Sequence, residues 1–272
     1  MKDLKGKNAV ITGGGSGIGR GMALAFAEAG MNVVLADIEV DAAASVKAEV
    51  EKLGVRGLAV KTDVTQADSV EALADAVYTE LGAVHLLCNN AGVVAFGSMH
   101  DLTPADWSWV LAVNLHGVVN GIQSFVHRMK KQDGEKHVVN TASTAGMWPH
   151  PGLAPYVASK YAVVGISETL RMEGADYGLS CSALCAGNTN TKIVMSARNR
   201  LPEFGGPEEA DNPAVQSIID EGMAPEQVGQ IVRQGVIDDL EYIWTHPDIR
   251  ELADARLDAV RNSLDQAQKR NA

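Results

Sequence analysis

The stretch Asn8-Ala9-Val10-Ile11-Thr12-Gly13-Gly14-Gly15-Ser16-Gly17-Ile18-Gly19, followed by an apolar run with helical spacing to Ala29, decides the fold. Lys7 to Ile11 is a short β-type run and Ile18 to Ala29 a helical one, so the glycines fill a strand-to-helix turn. Glycine lets the chain bend sharply there and lets a phosphate approach the free N–H groups that open the helix. A tight turn that binds nothing is the plain alternative. Position argues against it: a strand precedes, a helix follows, and Asp37 stands at the tip of the next strand-like run, Asn32 to Ala36.

Asp37 is expected to accept hydrogen bonds from the ribose hydroxyls of an adenosine. A 2'-phosphate there would meet a carboxylate, with no Arg or Lys at Ser16 or Ile38 to offset the repulsion. NAD is therefore expected over NADP. The other use of Asp37 is as the N-cap of the helix after it.

The rhythm continues outward. Val40 to Leu53 reads as a helix stopped by Gly54, Gly57 to Lys61 as a strand, Ser69 to Leu81 as a helix ended by Gly82, and Val84 to Cys88 as a strand. Asp106 to Met129 reads as one long or broken helix, His137 to Thr141 as a strand, Tyr156 to Tyr177 as a helix and Ser180 to Cys185 as a strand. Short, nearly continuous apolar strands alternating with helices predict an α/β fold, a doubly wound parallel sheet of Rossmann type with helices on both faces. One domain over 1–272 accounts for the length.

Composition narrows the partners. There are 23 Lys and Arg against 34 Asp and Glu, a formal charge of -11, which offers no basic footprint for nucleic acid or an anionic membrane. No apolar run approaches the roughly 18 residues of a membrane span, and the N-terminus lacks a secretory apolar segment, so a cytoplasmic protein is expected. Cys88, Cys181 and Cys185 sit in apolar runs without repeated spacing and read as buried reduced thiols. The seven histidines show no paired ligand spacing, so no metal is expected.

Tyr156 and Lys160 lie on one helix face, four residues apart. Such a pair alone is common, but Ser143 stands thirteen residues earlier, past the strand His137 to Thr141 and at the carboxyl edge where such sheets bind ligands. With the Thr12 to Gly19 turn, Asn89-Asn90-Ala91-Gly92 after the fourth strand, and Asn114 in the long helix, the chain resembles the short-chain dehydrogenase/reductase family, in its NAD-dependent subgroup of ordinary length. The resemblance is dense from Lys5 to Gly187. It implies an alcohol oxidoreductase with Tyr156 as acid/base, Lys160 lowering its pKa and holding the nicotinamide ribose, Ser143 bonding the substrate oxygen, and Asn114 holding a water that links Lys160 to solvent. It places Gly13, Gly15, Ser16, Gly17, Ile18, Gly19, Asp37, Asp63, Val64, Asn90, Gly92, Thr189 and Thr191 along NAD. The chemistry is consistent: an unperturbed tyrosine, with a pKa of about 10, is a poor base at neutral pH, and a neighbouring ammonium favours its phenolate.

Departures from the family pattern follow the sixth strand. Where the family has Pro-Gly, a hydrophobic residue and a Thr, this chain has Ala186-Gly187-Asn188-Thr189-Asn190-Thr191, so Thr191 keeps its place while Ala186 and Thr189 depart. The segment 188–223 breaks the strand-helix rhythm and is expected to be a substrate lid, with a short helix carrying Val215, Ile218 and Ile219. A final strand, Glu241 to Thr245, leads into a helical extension, 246–272, in which Ile249, Leu252, Val260 and Leu264 keep one apolar face and the charges form its solvated side. Val94, Phe96, Met147, Trp148, Leu153 and Met195 are expected beside Ser143 as an apolar wall, which suits a cyclic or aryl secondary alcohol. His150 reads as a turn histidine exposed to water rather than a second polar contact. An epimerase or dehydratase with retained NAD, or a non-catalytic NAD sensor, are the alternatives. The family's long helices imply a homo-oligomer, dimer or tetramer.

Overall fold

The strand-like runs become seven parallel strands in a computed structural model that describes residues 1–208 and 213–271. Strands β1 (Asn8–Thr12), β2 (Asn32–Asp37), β3 (Gly57–Lys61), β4 (Leu86–Asn89), β5 (Lys136–Thr141), β6 (Leu179–Cys185) and β7 (Tyr242–Trp244) form one sheet in the order β3-β2-β1-β4-β5-β6-β7. Every neighbouring pair is parallel. The chain runs outward from β1 to β3, then returns to lay β4 on the other side of β1. Between β1 and β4 the connections diverge, and a crevice opens at the carboxyl ends of the strands.

Helices cover both faces. Helices α1 (Gly17–Glu28), α2 (Val40–Lys52) and α8 (Pro225–Asp238) enclose one core, with Met22, Phe26, Leu35, Val46, Val232 and Val236 in it. Helices α3 (Ala67–Leu81), α5 (Gly117–Met129) and α6 (Ala154–Gly174) enclose the other, around Leu73, Val77, Phe125, Met129 and Leu170. Both faces of the central strands are dry, which explains why β1 and β4 read as continuous runs: every residue in them is buried. Helices α1 and α8 cross backbone to backbone. A Cβ on Gly21 would overlap the Pro225 carbonyl, and one on Gly229 would overlap the Gly21 carbonyl.

Most element boundaries lie within one to three residues of the expected ones. The expected helix Asp106 to Met129 is divided: α4 (Pro104–Leu111) gives way to a π turn, Ala112–His116, and then to α5. Helix α4 begins earlier than its apolar pattern because Thr103 and Asp106 cap each other reciprocally and Pro104 opens the first turn. Helix α6 starts at Ala154 and ends at Gly174, and Ala175–Tyr177 tightens into a 3₁₀ turn. The three cysteines are buried and unpaired.

Of the expected lid, a 3₁₀ segment Ile193–Asn199 and the short helix α7 (Pro213–Asp220) are present, while 209–212, like residue 272, lie outside the described residues. The C-terminal extension folds as helix α9 (Arg250–Asn271). Its charges are solvated, but its apolar face is not packed on the core, and no residue of it is buried. Among the described residues, no helix is long and apolar enough to cross a membrane, and no cluster of His, Cys, Asp and Glu is arranged to hold a metal.

Candidate active site

The glycine turn forms one end of the crevice. Gly13, with φ of 64°, hands its N–H to the Ala36 carbonyl at 2.8 Å and passes so close to β4's exit that a Cβ would stand 2.9 Å from the Ala91 Cα. Thr12 ties the same crossing together, its hydroxyl accepting the N–H groups of Asn90 at 2.9 Å and Ala91 at 3.1 Å. Gly13, Ser16, Gly17 and Ile18 line the crevice, whereas Gly15 and Gly19 do not. Those two serve the turn from behind: Gly15 donates its N–H to Asp37 at 2.8 Å, and a Cβ on Gly19 would overlap the Gly13 carbonyl.

Asp37, at the end of β2, faces this turn. One carboxylate oxygen accepts from Gly15 and the other from the Glu39 N–H at 2.9 Å, so the group is held rather than free to cap α2. Burial raises its pKa, while these donors and the nearby Arg198 pull the other way. Asp63 and Val64, beyond β3, line the crevice next to it. Asp63 accepts from the N–H of Thr65 at 2.9 Å and its hydroxyl at 2.7 Å, and Val64 packs where a Cβ on Gly117 would intrude. Asn90 lines the crevice too, but its side chain is a brace: it donates to the Thr12 carbonyl at 3.0 Å and accepts from Thr141 at 3.1 Å, joining β1, β4 and β5.

At the inner end stand Ser143, Tyr156 and Lys160, the three residues expected to carry the chemistry. Lys160 is 3% exposed, donates to the Thr141 carbonyl at 2.7 Å, and lies 5.4 Å from the centre of the Tyr156 ring. Burial brings its pKa down to about 8. Burial also raises the Tyr156 pKa, and a hydrogen bond from Ser143 opposes that rise. Each group alone is disfavoured as an ion here, so an ammonium and a phenolate formed side by side relieve one another. Ser143 accepts the Ala145 N–H at 3.1 Å and reaches the Ala186 carbonyl at 3.3 Å. Ala186, in the place of the family's proline, thus orients the serine through its carbonyl.

Gly92 leaves this floor open, since even a Cβ would come within 3.7 Å of the Lys160 nitrogen and 3.5 Å of Asn114. Asn114, wholly buried in the π turn, accepts from the Val93 N–H at 2.8 Å and donates to the Val93 carbonyl at 2.9 Å and to Ser159 at 3.2 Å. Both of its amide N–H donors and one lone pair of its oxygen are thus engaged. Thr189 is buried and donates to the Gly187 carbonyl at 3.1 Å, and the Thr191 methyl covers Gly17. A glycine turn at a helix N-terminus, a held carboxylate at one end and a lysine-tyrosine pair at the other make an elongated crevice that fits a dinucleotide.

The wall beside Ser143 differs in part from expectation. Val94, Phe96 and Leu153 line the crevice, and Met147, Trp148 and Met195 do not. Met147 follows the 3₁₀ turn Thr144–Gly146 and packs against the Val163 and Val164 cluster. Trp148 is buried behind His150, with ring centres 5.8 Å apart. Met195 is turned to solvent, 41% exposed, while Ile193, Val194, Ser196, Arg198 and Asn199 of the same 3₁₀ segment line the crevice. His150 is also corrected: it is half-buried on the crevice wall, where burial lowers its pKa.

Several lining residues escaped the sequence reading. Trp109 and Val113 come from α4 and the π turn, and their four-residue spacing is the only local sign of a shared face. Arg198 and Glu39 join across the crevice mouth, with Nε 3.3 Å from the carboxylate and a second guanidinium nitrogen on its other oxygen. A guanidinium therefore does stand near Asp37, contrary to the view from Ser16 and Ile38 alone, though Glu39 engages it. The loop is tied down further by Arg200, which is 4% exposed, stacked on Trp109 and paired with Asp106 at 2.8 Å. Its two ends meet as well: Asn190 N–H bonds the Met223 carbonyl and Met223 N–H the Asn188 carbonyl, each at 2.9 Å.

Residues 7–202 match the family model described as short chain dehydrogenase. A C alpha-dehydrogenase of Sphingobium sp. is 33% identical over 269 residues, covering 97% of this chain and 88% of the relative. The 3beta-hydroxysteroid dehydrogenase 2 of Eggerthella lenta is 36% identical over 201 residues, 72% of this chain and 75% of its own. A crystal structure of a short chain dehydrogenase/reductase from Burkholderia phymatum in complex with NAD superposes with a TM-score of 0.92, at 35% identity and covering 97% of each chain.

Proposed function

The chain belongs to the short-chain dehydrogenase/reductase family and is an NAD-dependent oxidoreductase, and from that premise we propose that it interconverts a lipophilic, cyclic or aryl, secondary alcohol and its ketone. The observation that carries this reading is the position of Tyr156: it stands at the crevice floor between Ser143 and the Lys160 ammonium, beneath a wall of Val94, Phe96, Trp109 and Leu153.

NAD, when bound, supplies the hydride acceptor. The protein's part is to take the hydroxyl proton and hold the carbon in line. Tyr156 accepts the proton as its phenolate, which Lys160 stabilises from 5.4 Å behind the ring. Ser143 holds the substrate oxygen beside that phenolate, itself set by Ala145 and Ala186. Asn114 keeps the strand exit at Val93 in place, and Thr191 and Gly17 close the phosphate end. Ile193, Val194 and the α7 residues Ile218 and Ile219 face the same space from the loop, which we read as a lid that keeps water from the reacting carbon.

The substrate class rests on that apolar lining, to which His150 adds a polar side chain on the crevice wall. It is also supported by two relatives, one named for a hydroxysteroid and one for a C alpha position. A screen for NADH formation across aryl, alicyclic, steroid, short-chain and sugar alcohols tests it. Aryl or polycyclic secondary alcohols should exceed short-chain and sugar alcohols by at least about tenfold in kcat/KM, which is about 1.4 kcal/mol of differential binding. Equal or reversed preference would overturn the substrate class, and NAD that stays bound without NADH release would point to an epimerase or dehydratase.

A further inference from the structure

Helix α9 stands out because it is long and uncovered. Its 22 residues contain four of the eleven large hydrophobic side chains exposed among the described residues: Leu252, Leu257, Val260 and Leu264. The guanidinium of Arg256, 4.9 Å from the centre of the Tyr161 ring on α6, pins its first half to the body. Beyond that point every described residue is exposed. Its internal ion pairs, Arg250 with Asp254 and Arg261 with Asp258, are solvent-exposed and contribute little. A solvated helix of this kind normally takes its stability from a packed apolar face.

The spacing of that face describes what packs on it. Ala253, Leu257, Val260, Leu264 and Ala267 follow one another at steps of four, three, four and three, the repeat of a two-helix seam. We propose that α9 pairs antiparallel with α9 of a second copy of this chain, across a two-fold axis that passes between Leu257 and Val260. Leu257 then faces Val260 of the other copy, and Ala253 faces its Leu264. Along one flank Asp254 meets Arg261 of the other copy, and symmetry repeats the pair. Arg256, on the other flank, stays on Tyr161 and meets only Ser263. A parallel pair would instead set Arg256 against Arg261, like charge on like.

Charge also selects this helix as the meeting place. The whole chain carries -11, so two copies repel, but Arg250 to Asn271 has five Lys and Arg against four Asp and Glu. Its first half is the more acidic and its second the more basic, which suits head-to-tail overlap. A patch complementary to itself generates a closed two-fold contact.

Two variants test the contact by sedimentation. Leu257→Glu/Val260→Glu should halve the mass of the assembly at micromolar concentration, with circular dichroism and NAD binding unchanged. The charge change Asp254→Arg should weaken association at least about tenfold, and Asp254→Arg/Arg261→Asp should restore it. Orientation is read by cysteine pairs, because Cys88, Cys181 and Cys185 are buried. Asp254→Cys/Arg261→Cys should give a covalent dimer on mild oxidation, since the two positions on one helix are about 10 Å apart and cannot bridge within a chain. An unchanged mass in the double Glu variant, a failure of the charge swap to restore association, or cross-linking by Arg256→Cys/Arg261→Cys in place of the 254/261 pair would overturn the proposal.

Discussion

Replacing Lys160 with Met should make the unfolding free energy of the ligand-free protein less dependent on alkaline pH, by an amount set by the burial of the ammonium. In the folded chain Lys160 titrates at about 8 rather than 10.5, because burial strips its water. A fall of two to three pH units corresponds to about 3 kcal/mol against the folded state wherever the amine is charged in both states. The sign follows from proton counting. Between about pH 8 and 10.5 the unfolded chain binds the proton and the folded chain has released it, so this contribution to stability rises with pH across that window and is unfavourable below it. The hydrogen bond to the Thr141 carbonyl at 2.7 Å, lost in the variant, returns about 1 to 3 kcal/mol and is the reason wild type and variant should be close at neutral pH. Equilibrium unfolding in guanidinium chloride, at fixed protein concentration and at pH near 7.5 and 9.5, measures both proteins. Wild-type stability minus that of Lys160→Met should rise by about 2 kcal/mol between the two conditions, groups that do not touch Lys160 cancelling in the difference. A change below about 0.5 kcal/mol, or of opposite sign, would show that Lys160 is not desolvated, and the account of how Tyr156 becomes a base would fall with it.

Tyr156→Phe should lower kcat by at least about 10²-fold while NAD affinity stays nearly constant, and turnover above a tenth of wild type would remove Tyr156 as the base. Asp37 should favour NAD over NADP by about one to three orders of magnitude in kcat/KM. Asp37→Ala should narrow that gap mainly by weakening NAD, and Glu39→Gln, which releases Arg198, should narrow it by improving NADP; steady-state kinetics with both cofactors decides each. Gly229→Ala inserts a methyl against the Gly21 carbonyl and should cost about 1 to 3 kcal/mol by thermal unfolding, with an unaltered melting curve refuting the close crossing. Amides in Asn188 to Glu208 and in 213–223 should exchange fast without ligands and slow when NAD and a substrate analogue bind together, more than with NAD alone; protection that ligands leave unchanged would make the segment a fixed wall.

The parts of this molecule that were legible in its sequence share one property: the physical reason for each residue lies close to it in the chain. Gly13 and Gly17 are read from a turn, Asp37 from a strand tip, Lys160 and Tyr156 from one helix face, and the parallel sheet from runs that are dry on both sides. What escaped depends on distant approach. Nothing near Arg198 signals that it will meet Glu39, 159 positions earlier, and nothing near Gly229 announces the Gly21 backbone. Met147, Trp148 and Met195 lie near Ser143 or Thr191 along the chain, and that proximity does not carry over into space. A 3₁₀ segment and a buried indole turn those side chains elsewhere. For α9, periodicity disclosed an apolar face but was silent on what covers it.

The segment after β6 explains why chemistry could be read from this chain more sharply than substrate. Its two ends are bonded together at Asn188 and Met223, and Arg200 anchors it to α4 through Asp106 and Trp109. Between those anchors it lines the crevice: Thr191 and Arg198 stand by the glycine turn and Glu39, Ile193 and Val194 add apolar lining, and Ala197 packs in the cluster that Tyr156 joins. In the proposed function cofactor and substrate share this one loop, and the shape it offers the substrate depends on contacts it makes at the glycine turn and Glu39. The residues proposed to move the proton do not share this dependence: Ser143 stands at β5's exit and Tyr156 and Lys160 on α6, with Ser143 bonded to the Ala186 carbonyl and Lys160 to the Thr141 carbonyl. A reaction type is set by the rigid sheet edge and its helix, where short motifs suffice; selectivity is set by a loop whose conformation is decided by partners far away in the chain.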